Sequence, residues 1–299
     1  MGSVAQIRGR YQDRKRTGSA AAPQSARQPR RGLLEKQFAS LKREHDDLRR
    51  AVYEAAQVQR RLCGPRHLHV GSYAIASEIF PLRHLSGDFI SVLQIEGDLV
   101  FALGDIAGKG IMAAMWFTQV MGMIRRQMVV LGDPAAALSS VNRELLLTGF
   151  EVPLTTLFLG RINLESGDLV YCNAGHPPAL LLRENNEVEE LRAGGPVLGA
   201  ISRASFANGS VRLCPGTTLL AYSDGIPECR NESGIEFGAT RLLNTVRAFS
   251  GCKPSHMLFS VLAAVENFMG RQRREDDVAL VVVHRFDSCK VDRSDTHCA

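Results

Sequence analysis

The sequence predicts an α+β fold of antiparallel sheets with helices layered outside them. Short apolar, β-rich runs recur between about residues 66 and 286. Two pairs of these runs are joined by tight turns, Glu96-Gly97-Asp98 and Glu165-Ser166-Gly167-Asp168. Helical patterns fall into two groups, one mid-chain and one near the end. Hairpin-linked strands imply antiparallel pairing, and helices grouped in this way cover the sheet faces. A chain of 299 residues, 45% of them hydrophobic, is long enough to bury a large core. No repeat period is visible, which excludes a solenoid or propeller.

In chain order, residues 1–32 form a Gly/Ser/Ala/Pro/Gln-rich segment with eight Lys or Arg against one acid, Asp13. Such a segment cannot bury enough apolar surface to fold alone and is expected to be a disordered basic tail. It is either a solvated leader or a contact for nucleic acid or anionic lipid. The rest of the chain holds 28 basic and 30 acidic residues, so the net charge of +5 is a property of the tail. A nearly neutral body argues against a dedicated nucleic-acid-binding protein.

Residues 33–64 read as a helical linker. Leu34, Phe38, Leu41, His45, Leu48, Val52, Ala55, Gln59 and Leu62 alternate spacings of four and three, a heptad seam of about four repeats flanked by charge. The seam serves either a homodimeric coiled coil, a regulatory contact, or packing of one amphipathic helix on the body. Gly64-Pro65 ends the helix.

The body, residues 65–286, has expected strands at 70–76, 89–95, 99–103, 156–162, 169–172, 179–182, 211–213, 218–222 and 278–283. Expected helices are 111–131, 134–147, 237–249 and 255–269, with Trp116, Met112, Met115, Met121 and Met123 as packing residues of the first. Residues 287–299 are expected to be a flexible tail. The seven cysteines are scattered, odd in number and without a C-x-x-C pair, which fits a reducing cytoplasm. No apolar run is long enough for a membrane span and no secretory signal opens the chain.

The stretch "LGDIAGKGI" first resembles a phosphate-binding loop. It fails that pattern twice: Gly104 to Gly108 is one residue short, and Gly110 stands where the magnesium-binding hydroxyl belongs. What remains is Asp105 at a strand end, on a glycine-rich turn. Other acids share this placement: Asp88 in "LSGDFISV", Asp224 in "LLAYSDGIPE", and Asp276 and Asp277 in "REDDVALVVV". Any one of them reads as a turn or cap residue. As a set brought to one sheet edge they would repel, and they remain ionised together only around cations. All-oxygen ligands favour Mg2+ or Mn2+ over zinc. Two such ions roughly 3.5–4 Å apart activate water for attack on phosphorus.

"SGDF", "GDIAGKG", "NAGHPP", "YSDGIPE" and "DDVALVVV", in this order, resemble the PPM-type (protein phosphatase 2C-like) serine/threonine phosphatases. The branch is the bacterial one typified by stage II sporulation protein E and the phosphatases of stress-response partner switching. The likeness covers about residues 55–285, and "EAAQVQRRLCGP" resembles the helix that leads into such domains. It implies an α-β-β-α sandwich, two packed antiparallel sheets flanked by helices, with two Mn2+ or Mg2+ ions at one edge. It further implies Asp105 as the acid bridging both ions, the Ile106 carbonyl as a ligand, Asp88 near the same site, and Asp224 and Asp276 on the opposite side. Asp277 falls where many relatives carry Asn and ranks behind Asp276. The first motif departs from the family pattern, with Ser86 for Gly, Ile90 for Tyr and Ser91 for a second acid. Lys109 is either a contact for substrate phosphate or a solvated turn lysine. His176 is either a proton donor or a packed loop residue.

The resulting expectation is a metal-dependent hydrolase of phosphoserine or phosphothreonine on a partner protein, with a STAS-type anti-anti-sigma factor as the implied substrate. The alternatives are a catalytically silent adaptor of the same fold, which the changes at Ser86 and Ser91 raise, and a hydrolase of small phosphoesters.

Overall fold

Hairpins generate both sheets of the protein, which a computed structural model describes over residues 28–287. Of the expected tails 1–32 and 287–299, residues 1–27 and 288–299 lie outside the described residues. Helix α1, Gln28–Leu62, begins earlier than expected, because Pro29 is tolerated in the first turn of a helix. The chain divides into two units between Arg50 and Ala51. The first contains the exposed seam residues Leu34, Phe38, Leu41 and Leu48. The second begins with the last turns of α1, where Ala56 and Gln59 are buried.

One sheet is built from β1 (His67–Val70), β2 (Tyr73–Phe80), β7 (Ala179–Leu182), β8 (Val188–Leu191), β11 (Thr218–Tyr222) and β12 (Val278–Arg285), in the order β1-β2-β12-β11-β7-β8. The other contains β3 (Phe89–Ile95), β4 (Asp98–Ile106), β5 (Thr155–Asn163), β6 (Asp168–Ala174) and β10 (Gly209–Arg212), in the order β10-β6-β5-β4-β3. The pair β9 (Gly194–Gly195) adds a short parallel rung to β6. All other strand pairs are antiparallel.

The run expected as one strand at 70–76 is a hairpin. Val70 pairs with Tyr73 across Gly71-Ser72, and Gly71 has φ 56°. The apolar character of both arms hid a Gly-Ser turn, itself a hairpin signal. Strand β8, with its two exposed glutamates, was invisible to an apolar-run criterion.

Three layers of core account for the sandwich. Phe101, Phe158, Leu103 and Val281 lie between the two sheets, where Phe158 stacks on Phe101 and Tyr171. Each fully buried side chain of this size stabilises by about 1.5–3 kcal/mol. Helices α2 (Ile111–Leu131) and α3 (Pro134–Leu147) cover the β3–β6 face through Phe117, Ile124, Leu138 and Val141. Helices α4 (Gly238–Ala248) and α5 (Pro254–Met269) cover the β12–β11 face through Leu242, Met257 and Val261. Met121, Met123 and Trp116 pack as expected, whereas Met112 and Met115 are exposed because they lie on the face of α2 opposite to the buried Ala113 and Phe117. No helix among the described residues is long and apolar enough to cross a membrane.

Candidate metal centre

Each singled-out acid sits where a strand pair reaches one edge of the sandwich. Asp88 immediately precedes β3, and Asp105 is the penultimate residue of β4, its neighbour in the same sheet. Asp224 is the second residue after β11, and Asp276 and Asp277 directly precede β12, the neighbour of β11 in the other sheet. Four strands from two sheets therefore deliver carboxylates to one place.

Close backbone packing holds these loops together. A Cβ on Gly87 would lie 2.9 Å from the Ile106 carbonyl oxygen and 3.0 Å from Asp105 Oδ1, so only glycine lets the first-motif loop touch the Asp105 turn. A Cβ on Gly225 would lie 1.9 Å from the Asp277 carbonyl, so the same holds where the two loops of the other sheet meet. Gly87 also accepts a hydrogen bond from the Ile106 N–H at 3.3 Å.

The electrostatics are those of crowded, like charges. Asp88 is 2% exposed, and burial, then the Asp105 charge, pushes its carboxyl well above the usual range, opposed by the Ser223 hydroxyl. Asp105 is raised to about 6 by burial and by Asp224, Asp276 and Asp277. Burial and Asp276 raise Asp224 as well. These mutual effects bring Asp88, Asp105, Asp224 and Asp276 into one field. No three of them, nor any other trio of His, Cys, Asp and Glu among the described residues, close into a ready-made cage. The donor set nevertheless fits hard divalent cations. Asp88 Oδ2 is buried without a hydrogen-bond partner, and an open ring of oxygens suits Mg2+-like ions that keep several waters.

Asp277 is occupied differently. Its Oδ1 accepts from the Leu82 N–H at 2.6 Å, and its Oδ2 from Ser86 Oγ and the Gly87 N–H, both at 2.8 Å. It braces the loop before Asp88, while Asp276 projects beside it into solvent. Lys109 Nζ lies 3.0 Å from Asp276 Oδ1 and donates to the Glu275 carbonyl at 3.1 Å, so the turn lysine is tied to the acid edge.

His176 is 5% exposed, away from any ligand arriving from solvent. Its Nδ1 meets Thr156 Oγ1 at 2.8 Å, its N–H donates to Asn173 Oδ1 at 2.7 Å, and Asn173 Nδ2 returns a bond to its carbonyl. Burial lowers its pKa to about 3 and keeps the ring neutral. Thr156 is the cross-strand partner of Asp105, so the buried ring supports the strand beside that acid. Sequence reading missed three neighbours. Ser223 adjoins Asp224 in "YSDG"; Glu228 closes "SDGIPE" and is itself raised by burial and Asp224; Gln59 bonds the Ser86 main chain. Ser223 and Glu228 lie inside the acid motif "YSDGIPE", and Gln59 inside the lead-in helix "EAAQVQRRLCGP".

The family described as Stage II sporulation protein E (SpoIIE) matches residues 95–286. Protein IcfG of Synechocystis sp. is 27% identical over 69% of this chain, but the match spans only 37% of IcfG. Phosphoserine phosphatase RsbU of Bacillus subtilis is 24% identical, over 85% of this chain and 76% of its own length. The SiaA-PP2C domain of Pseudomonas aeruginosa superposes with a TM-score of 0.70 at 19% identity, over 82% of this chain and 99% of that one, a likeness of fold. With a family match over most of its length and the PP2C-type sandwich carrying acids at one edge, the chain belongs to the SpoIIE family of PP2C-type phosphatase domains.

Proposed function

We propose that this protein is a serine/threonine phosphoprotein phosphatase that works with two Mn2+ or Mg2+ ions. The observation that carries the reading is the gathering of Asp88, Asp105, Asp224 and Asp276 from two sheets, with Asp88 Oδ2 buried and unpartnered. When bound, the cations supply an activated water and offset charge on the phosphoryl oxygens. Asp105 and the Ile106 carbonyl would hold them from the β4 side, together with Asp88, and Asp224 and Asp276 from the β11–β12 side. Asp277 keeps the Asp88 loop in place. Lys109 holds the glycine turn against Glu275 and Asp276. The mechanism needs no nucleophilic side chain.

The likeness to a relative named a phosphoserine phosphatase supports a phosphoserine protein as substrate. A STAS-type anti-anti-sigma regulator is the first to try. Residues 33–64 would serve a homodimer or a regulatory partner. The five described cysteines are free thiols, which supports a cytoplasmic setting.

The departures in the first motif do not favour the adaptor reading. The Ser86 hydroxyl binds Asp277, and the Ser91 hydroxyl accepts from Arg125 Nε at 3.1 Å; both support the scaffold and leave the four acids in place. The test is phosphate release from a phosphoserine STAS protein with Mn2+ or with EDTA. Release with Mn2+ alone, lost in Asp105→Asn, supports the reading. No release would return the adaptor to favour, and faster release from small esters would reassign the substrate class.

A further inference from the structure

The loop that carries Asp88 is held from outside the body's motifs by one side chain of α1. Gln59 is 8% exposed; its Nε2 donates to the Ser86 carbonyl at 2.8 Å, and its Oε1 accepts from the Ser86 N–H at 3.1 Å. The amide thus pairs with both main-chain groups of Ser86, as a strand neighbour would. From Ser86 the bonds run onward, through its Oγ and the next N–H to Asp277, and from Gly87 to Ile106. The helix end bearing Gln59 is anchored in turn. Arg125 on α2 donates to the Leu62 carbonyl and to Ser91 Oγ, and Cys63 Sγ donates to the Gln59 carbonyl at 3.4 Å.

From this geometry we infer that Gln59 is a positioning residue for Asp88: it sets the Ser86 peptide, two residues before the acid, and so fixes where the Asp88 carboxylate meets the cations. The inference rests on the metal-centre reading above. A merely structural Gln59 would anchor the helix, and its loss would lower stability without a specific effect on cation affinity. A positioning Gln59 links the two, because Asp88 is buried and lies two residues after the peptide that Gln59 pairs with.

The full chain is tested by titration with Mn2+, following the free ion by electron paramagnetic resonance, alongside thermal unfolding in EDTA. Gln59→Met keeps length and helix compatibility but removes both hydrogen bonds. It is expected to weaken Mn2+ binding by about tenfold. Gln59→Glu keeps an acceptor for the Ser86 N–H but sets a carboxylate oxygen against the Ser86 carbonyl, and is expected to weaken Mn2+ binding by as much as Gln59→Met. Leu242→Ala, a core change on the far side of the other sheet, serves as the destabilised control and is expected to keep affinity within about twofold while its melting temperature falls. Unchanged affinity in Gln59→Met, or an equal loss in Leu242→Ala, overturns the inference. If Gln59→Met does not fold, Gln59→Glu decides: unchanged affinity in that variant overturns the inference. Asp105→Asn separates the two claims. Where it abolishes binding and Gln59→Met does not weaken it, the metal centre stands and the positioning role falls. A wild-type chain that binds no Mn2+ overturns both.

Discussion

Two adjacent aspartates, Asp276 and Asp277, show how one step along the chain separates an exposed acid, proposed as a ligand, from a brace. Asp277 accepts three hydrogen bonds from the Leu82–Gly87 loop, whereas Asp276 is half exposed and meets only Lys109 and the Asp277 N–H. Asp277→Ala strands three donors, so it is expected to cost about 3 kcal/mol of stability measured by urea unfolding in EDTA. Asp276→Ala removes an exposed pair and is expected to change that stability by less than about 1 kcal/mol while weakening Mn2+ binding. The reverse pattern would exchange their roles. Sequence placed both acids at the strand entrance because Asp before an apolar run is visible; which one turns inward depends on the partner loop 195 positions away and is not. Gln59 was legible as a seam position and as part of the lead-in helix, but its bond to the Ser86 peptide was not, since no local pattern marks a side chain that pairs with a distant peptide. His176 was readable as a loop residue, and its burial against Thr156 follows from sheet packing that no motif encodes.

At the level of elements, the helices and most strands were legible because their apolar periods are strong. The β1–β2 hairpin and β8 were not, the first because its turn interrupts a continuous apolar run and the second because an edge strand needs little apolar surface. Helix α1 carries a seam with Leu34, Phe38, Leu41 and Leu48 each more than 60% exposed. Exposed apolar residues at heptad spacing are the signature of a surface that pairs with another helix. The full chain is expected to sediment as a dimer at micromolar concentration, and the double change Phe38→Lys, Leu41→Lys to yield monomers with unaltered far-ultraviolet circular dichroism. A wild-type monomer at such concentrations would assign the seam to a different partner.

Only the whole molecule brings the acids together, since β3–β4 and β11–β12 belong to different sheets held face to face by a shared core. The sequence showed five acids at strand ends, and the family resemblance supplied their convergence; composition alone supports no such step. Convergence has a thermodynamic signature. Asp105, at 3.8 ordinarily, is raised to about 6 in the fold, so without cations the native state holds a proton that the unfolded chain releases between these values. The unfolded state then binds fewer protons, and this contribution to stability falls as pH rises from about 4 to about 6. Cations relieve that repulsion and compete with the proton, so the rise in melting temperature on adding Mn2+ is expected to be larger near pH 7.5 than near pH 5. An equal or smaller rise at the higher pH would contradict the shared field. The most direct measurement of the central claim is the number of Mn2+ ions bound per chain, wild type against Asp105→Asn, by equilibrium dialysis with metal analysis. The account predicts two ions for the wild type and loss of both high-affinity sites in the variant, because the proposed function has both ions share Asp105. Undetectable Mn2+ binding by the wild type, or equal binding by Asp105→Asn, would contradict it.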